Sequence, residues 1–310
     1  MRIFGPVPSR RLGKSLGINN VRPKTCSYSC VYCQLGITEK MQLKREEFYT
    51  VQKLQSELEK TLKNLDQRKE DLDYITFVAD GEPTLDKNLG ESLKMIKEMT
   101  GVKTAVISNA SLIARKEVRE ELKNADWVSL KCDAFSEEVW HKVDRPHGKL
   151  DLSKIQEGMK EFSKEYEGKF LTETMLVKGI NDTKEELNKI ADFISELNTD
   201  SSYVAIPTRP PAEEGVEGPS PEKINRAVQI FKEKSIKTEY LIGYEGNEFS
   251  STGNLREDLL NITSVHPLKE EAVEELIRKC DSDWNGVEKL IEEEKIVRTK
   301  FKDENYYVRK

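Results

Sequence analysis

The sequence predicts an α/β fold: a partial, parallel (β/α)6 barrel over residues 1–266, followed by a small helix–helix–hairpin unit over 267–310. Three observations lead there. Short β-rich runs alternate with longer amphipathic runs six times along the chain. Such alternation calls for a parallel sheet with helices packed outside it. Six units are too few for the closed eight-stranded barrel, so the strand ends should frame an open mouth.

Taken in order, strands are expected at SLGIN (15–19), YITFVAD (74–80), KTAVISN (103–109), DWVSLKCDA (126–134), KFLTETMLVKG (169–179) and SYVAIPT (202–208). Helices are expected at 50–69, 87–99, 115–124, 151–165, 183–197 and 221–234, each with apolar residues at three-to-four spacing. PTRPPAEEGVEGPSP (207–221) is rich in Pro and Gly and reads as a long functional loop after the sixth strand. Beyond His266 and Pro267, EEAVEELIRKC, WNGVEKLIEEE and IVRTKFKDENYYVRK give the order of a winged-helix module.

Composition sets the environment. The chain is 34% charged and 36% hydrophobic, with a net charge of −6. The opening residues hold no apolar run fit for a signal peptide, and no stretch of eighteen apolar residues stands together. A cytoplasmic chain that makes no membrane contact is expected. Thiols stay reduced there, so five cysteines, three of them clustered, point to metal or redox chemistry and not to a disulfide framework. Residues 1–38 carry Arg2, Arg10, Arg11, Lys14, Arg22 and Lys24 and no acid.

The clustered thiols lie in KTCSYSCVYCQLG, from Lys24 to Gly36. Structural zinc closes with four ligands in paired spacings, and neither Cys132 nor Cys280 offers a second pair. A four-iron cluster normally takes four cysteines. Three leave one iron open to whatever enters the site, which suits catalysis.

The CxxxCxxC spacing of Cys26, Cys30 and Cys33, with Tyr32 before the last cysteine and the loop after the first strand, resembles the radical S-adenosylmethionine superfamily. The resemblance implies a [4Fe-4S] cluster on the three cysteines, with S-adenosylmethionine chelating the fourth iron. Reductive cleavage of that cofactor would give methionine and a 5′-deoxyadenosyl radical that takes hydrogen from a substrate. A low-potential donor such as ferredoxin or flavodoxin is implied as well. Gly81, Glu82 and Pro83 in DGEPTL match the superfamily's Gly-Gly-Glu-like cofactor stretch, with Asp80 where glycine is common. Ser108 and Asn109 end the third strand as candidate cofactor contacts, or as helix caps.

On the fourth strand, Ser129, Lys131 and Asp133 share one face and Leu130 and Cys132 the other. Lys131 and Asp133 are therefore expected inside the barrel as catalytic candidates, with Cys132 a buried structural thiol. His147, in VDRPHG, and Arg209, held between prolines in PTRPP, are the candidate substrate contacts.

Across residues 3–266, FGPVPSRRLGKSLGIN, DGEPTL, LVKGIND, PTRPPAE and SSTGN resemble the branch related to 4-demethylwyosine synthase, which rebuilds a guanine of transfer RNA. That synthase carries further N-terminal cysteines, whereas no cysteine precedes Cys26. The expected substrate stays open, with RNA and protein among its classes and a wyosine-type tRNA reaction as one alternative. A non-enzymatic redox regulator that binds nucleic acid through the winged helix is the other. Residues 267–310 hold ten bases against twelve acids, and WNGVEKLIEEE has four acids to one lysine, which speaks against duplex DNA.

Overall fold

The computed structural model describes residues 2–67, 71–243, 249, 251–264 and 266–310. Residues 68–69 of the expected first helix, and Ser250 of SSTGN, lie outside the described residues.

The main sheet has eight strands. β1 (Arg2–Ser9) runs antiparallel to β2 (Gly13–Asn19). Between β2 and the next sheet strand lie two two-residue strands, β3 (Thr25–Cys26) and β4 (Lys40–Met41), which pair with each other, and then helix α1 (Val51–Gln67). β5 (Tyr74–Phe77), α2 (Leu89–Thr100), β6 (Lys103–Ser108), α3 (Lys116–Leu122), β7 (Trp127–Lys131), α4 (Glu137–Val143), α5 (Leu152–Glu165), β8 (Lys169–Met175), α6 (Lys184–Ser195), β9 (Ser201–Ala205), α7 (Pro221–Glu233) and β10 (Thr238–Leu241) continue the alternation. The sheet order is β1-β2-β5-β6-β7-β8-β9-β10, parallel from β2 onward. β1 and β10 are its two edges among the described residues.

All six expected strands and six expected helices are present, most of the strands shorter than read. β1 and β10 add two edges that the sequence hides. β1 carries Pro6 and Pro8, which cannot donate to a ladder and are confined to edges, and its register shifts between Phe4 and Val7. β10 is four residues long and exposes two of them, so it has no buried run to recognise.

Each strand turns one face to the helices and one inward. Val128 and Leu130 of β7 join the large outer core with α1 residues Leu54 and Leu58, while Trp127 faces inward. Leu12, Ala105, Trp127, Leu171, Tyr203 and Leu241 form a small apolar cluster there. Fully burying a side chain of this size contributes about 1.5–3 kcal/mol, so this cluster anchors the strands on which the polar site residues follow.

The C-terminal part begins with α8 (Leu255–Ile262) and continues through β11 (Leu268–Lys269), α9 (Glu270–Lys279), α10 (Trp284–Glu292), β12 (Ile296–Phe301) and β13 (Glu304–Arg309). Helix, helix and hairpin appear in the expected order, with β11 pairing on β13 as a third strand. The apolar core of this part runs across residue 267: Phe249, Leu255, Leu259 and Ile262 pack with Ala272, Leu276, Leu290 and Tyr307. Val7 of β1 packs against it too. No helix among the described residues is long and apolar enough to cross a membrane.

Candidate active site

The cysteine loop starts at β3 and is fastened along its length by backbone hydrogen bonds. Cys33 N–H donates to Cys30 O at 3.0 Å, Gly36 N–H to Cys33 O at 3.2 Å, and Gln42 N–H to Cys26 O at 3.0 Å. Val31 N–H reaches Val143 O at 3.0 Å, tying the loop to the end of α4. All five cysteines are free thiols. Cys26, Cys30 and Cys33 stand together on a cavity wall, whereas Cys132 is buried in the outer core and Cys280 belongs to the C-terminal part.

The donor set fits a cluster. No group of three His, Cys, Asp or Glu side chains among the described residues converges on one metal ion; thiolates of a cluster each bind a different iron and stand apart. Burial, with the Glu82 carboxyl nearby, pushes the Cys26 thiol up to about 12. Burial raises Cys30 and Cys33 too, and Asp144 adds to the effect at Cys30. Thiolates here thus call for a compensating positive charge, which bound iron would supply.

The ends of β5 and β6 face these thiols. Gly81 has φ +148°, and a Cβ there would lie 1.8 Å from Thr25 O, so only glycine lets the backbone pass the loop. Glu82 is buried; its Oε1 accepts from Thr84 N–H at 3.0 Å, Thr84 Oγ1 at 2.6 Å and Ser108 Oγ at 2.7 Å, and its Oε2 from Asn109 N–H at 2.7 Å. The carboxylate therefore braces two strand ends. Asn109 Nδ2 donates to Ser27 Oγ at 3.0 Å and contacts Cys26 Sγ at 3.4 Å. Gly81, Glu82, Ser108 and Asn109 line the same cavity as the thiols, while Pro83 lies behind it, its carbonyl accepting from Asn20.

Opposite the cluster loop the cavity wall is charged. Lys131 Nζ lies 3.0 Å from Glu173 Oε1, 3.4 Å from Asp133 Oδ1 and 4.9 Å from the centre of the Tyr32 ring. Arg11 forms a second ion pair with Glu173. Asp133 sits beneath, accepting from Tyr32 OH and, at 2.6 Å, from Met175 N–H. Asp144 accepts from Cys30 Sγ at 3.2 Å, and burial beside Asp133 raises its carboxyl well above the ordinary range. Arg209 Nη1 donates to Gln34 Oε1 at 2.8 Å, and its Nη2 lies 3.2 Å from His266 Nε2.

Of the sequence candidates, the cavity gathers the three cysteines, Tyr32, Gly81, Glu82, Ser108, Asn109, Lys131 and Arg209. Asp133 and Pro83 support it from outside. His147 does not line it: its N–H donates to Ser27 O at 2.9 Å, and its Nδ1 accepts from Lys149 N–H. Glu173, which the fifth strand offers together with Thr174, lines the cavity, as do Arg10, Arg11 and Gln34, which the sequence did not mark as site residues. Glu173 meets Lys131 because the two lie level across the β7–β8 ladder, a register that only the fold supplies.

The family model of the Radical SAM superfamily matches residues 21–194. A UPF0026 protein of Methanocaldococcus jannaschii is 43% identical over 308 residues, covering 99% of this chain and 95% of that protein. A solved radical SAM methyltransferase from Sphaerobacter thermophilus superposes with TM-score 0.56 at 16% identity, covering 74% of this chain and 66% of that one, just under two thirds of its length. The structure of TYW1 with a lysine-pyruvate adduct bound gives TM-score 0.52 at 17% identity, over 71% of this chain and 73% of that one. At such identities the two structures show a shared fold.

Proposed function

We propose that this chain, which belongs to the Radical SAM superfamily, is an enzyme of that class whose cluster rests on Cys26, Cys30 and Cys33. Enzymes of the family use a [4Fe-4S] cluster and S-adenosylmethionine. When bound, these supply reductive carbon–sulfur cleavage and hydrogen-atom abstraction.

The single observation that carries the reading is convergence: thiols from one loop meet the ends of β5 and β6 and the charged wall of β7 and β8 on one cavity. Gly81 and Glu82 would present backbone to the cofactor's amino group, with Ser108 and Asn109 beside them. Lys131, held by Glu173 and Asp133, would orient polar groups of the reacting molecule. Arg209 would anchor a carboxylate or phosphate. Walls of this kind hold reactants in place and keep water away from the reacting atoms.

The C-terminal part supports that anchor. Tyr306 OH donates to Thr208 O at 3.0 Å and Lys302 Nζ to Pro207 O at 3.2 Å, on the two residues before Arg209. We read it as a winged-helix-like module that positions this loop. A cytoplasmic setting and a one-electron donor of ferredoxin or flavodoxin type complete the reading. A wyosine-type tRNA reaction is the second reading, supported by the motifs of residues 3–266. Anaerobic reconstitution with assay for 5′-deoxyadenosine tests the first. Product that depends on reductant and S-adenosylmethionine supports it; fully loaded protein that makes none overturns it.

A further inference from the structure

Both ends of the Asn109 side-chain amide have partners, and these fix which end meets the cysteine loop. Oδ1 accepts from Ser111 N–H at 2.9 Å. A backbone N–H can only donate, so the nitrogen end of the amide is the one turned toward the thiols. Nδ2 gives one hydrogen to Ser27 Oγ at 3.0 Å and meets Cys26 Sγ at 3.4 Å.

The amide is held from three sides. The backbone N–H of Asn109 is bound by Glu82 Oε2 at 2.7 Å, and the hydroxyls of Ser27 and Ser111, both buried, lie 2.5 Å apart. Turning the amide over would set an NH2 group against Ser111 N–H and leave that donor unpaired, at about 1–3 kcal/mol. The N–H is therefore fixed on Cys26 by the protein alone.

The three sulfurs do not share this environment. The backbone of Tyr28 and of Ser27 also hydrogen-bonds to Cys26, against the Glu82 carboxyl nearby. Cys30 Sγ faces Asp144 Oδ1 at 3.2 Å. Cys33 has Asp80 beside it, opposed by Lys131 and Lys24, and one bond from the backbone of Leu35. Asn109 thus adds a neutral side-chain donor to the sulfur that already has the most donors.

We propose that Asn109 is a positioning residue that acts through Cys26: its side-chain N–H donates to that sulfur in the loaded site and raises the reduction potential of the cluster. The inference rests on the radical reading above, and gives Asn109 a role it would have with no S-adenosylmethionine present. One-electron reduction adds negative charge to the irons and their sulfurs, with no bond broken and no proton moved. A hydrogen bond to a more negative acceptor is stronger, so the donor favours the reduced state. Hydrogen bonds to the sulfurs are among the levers that set cluster potentials.

The test is a redox titration of the full-length, anaerobically reconstituted protein without S-adenosylmethionine. Dithionite supplies the electron, and electron paramagnetic resonance reads the reduced cluster. Asn109→Leu removes the donor and adds no charge. At a fixed potential its ratio of reduced to oxidised cluster should fall about tenfold, the worth of one hydrogen bond to a charged group, or about 59 mV for a one-electron couple. Ser27→Ala removes the other partner of the same Nδ2, keeps the N–H on Cys26, and should leave the midpoint at the wild-type value. A wild-type midpoint in Asn109→Leu, or an equal fall in Ser27→Ala, would overturn the proposal. Should Asn109→Leu not fold or not load, Asn109→Asp decides in its place. It keeps the oxygen that Ser111 N–H binds and loses the donor, so its midpoint must fall as well, and one that does not is the contrary result. Wild type that takes up no four-iron cluster would instead sink the radical reading, so the two failures are separable.

Discussion

Glu82 and Asn109 join the ends of two neighbouring strands: the buried carboxylate of Glu82 accepts the Asn109 backbone N–H at 2.7 Å. With the bonds from Thr84 and Ser108, one side chain satisfies donors on β6 and on its own turn. Glu82→Ala leaves those donors unpaired and should cost about 1–3 kcal/mol in stability. It should also weaken S-adenosylmethionine binding roughly tenfold, because Gly81 and Asn109 lose their common brace, while iron content stays that of the wild type. Calorimetric titration and iron assay check both parts; unchanged affinity would show the Gly-Glu-Pro match to be incidental.

Glu173 carries two cations, Arg11 and Lys131, in a largely buried site, its side chain 6% exposed. Removing one partner of a buried ion pair strands the other charge, at about 3–5 kcal/mol. Glu173→Ala should therefore lower the melting temperature sharply, and adding Lys131→Met should recover part of the loss. Additive losses in the double variant, followed by circular dichroism, would contradict the coupling.

Asp86 gives a pH dependence with a defined sign. Burial pushes its carboxyl from 3.8 up to about 6, against hydrogen bonds from Asn88 and Asn20. The folded state then binds the proton more tightly than the unfolded chain. Its contribution is fully present below about pH 4 and is lost as pH rises through 6, at most about 3 kcal/mol in all. Wild type should lose stability relative to Asp86→Asn between pH 4 and 6 and run parallel to it above. Urea midpoints across that range decide, and a difference that grows in the opposite direction is the contrary result.

Bonds from Tyr306 and Lys302 tie the C-terminal part to the Arg209 loop, and a point change there leaves the apolar core of that part intact. Tyr306→Phe deletes the bond to Thr208 O, worth about 0.5–1.5 kcal/mol. Amides near Arg209 should exchange faster with deuterium, while iron content is unchanged. Protection equal to wild type would mean the contact does not position the loop. Deleting residues 267–310 is a harsher change, because it uncovers Phe249, Leu255, Leu259 and Ile262.

Much of this was legible in the sequence, for identifiable reasons. Cysteine spacing is local, so Cys26, Cys30 and Cys33 could be read directly, and strict alternation put Lys131 on the inner face of β7. What was missed depends on register between distant segments. Glu173 joins Lys131 only because β7 and β8 pair residue for residue. Arg11 reaches Glu173 from a turn 162 positions away in sequence. His147 was expected to contact substrate, yet its backbone serves the cysteine loop through Ser27 O. A C-terminal unit beyond His266 was legible, but not that its core also takes in Phe249 and α8, because the sequence of α8 gives no break from the barrel.

If three thiols and an open iron make this chain a radical enzyme, iron stoichiometry and product formation must rise and fall together. Anaerobically reconstituted wild type should hold about four irons per chain and form 5′-deoxyadenosine from S-adenosylmethionine on reduction. The triple variant Cys26→Ala, Cys30→Ala, Cys33→Ala should hold no cluster and form none. A full cluster in that variant, or two clusters in the wild type, would contradict the account.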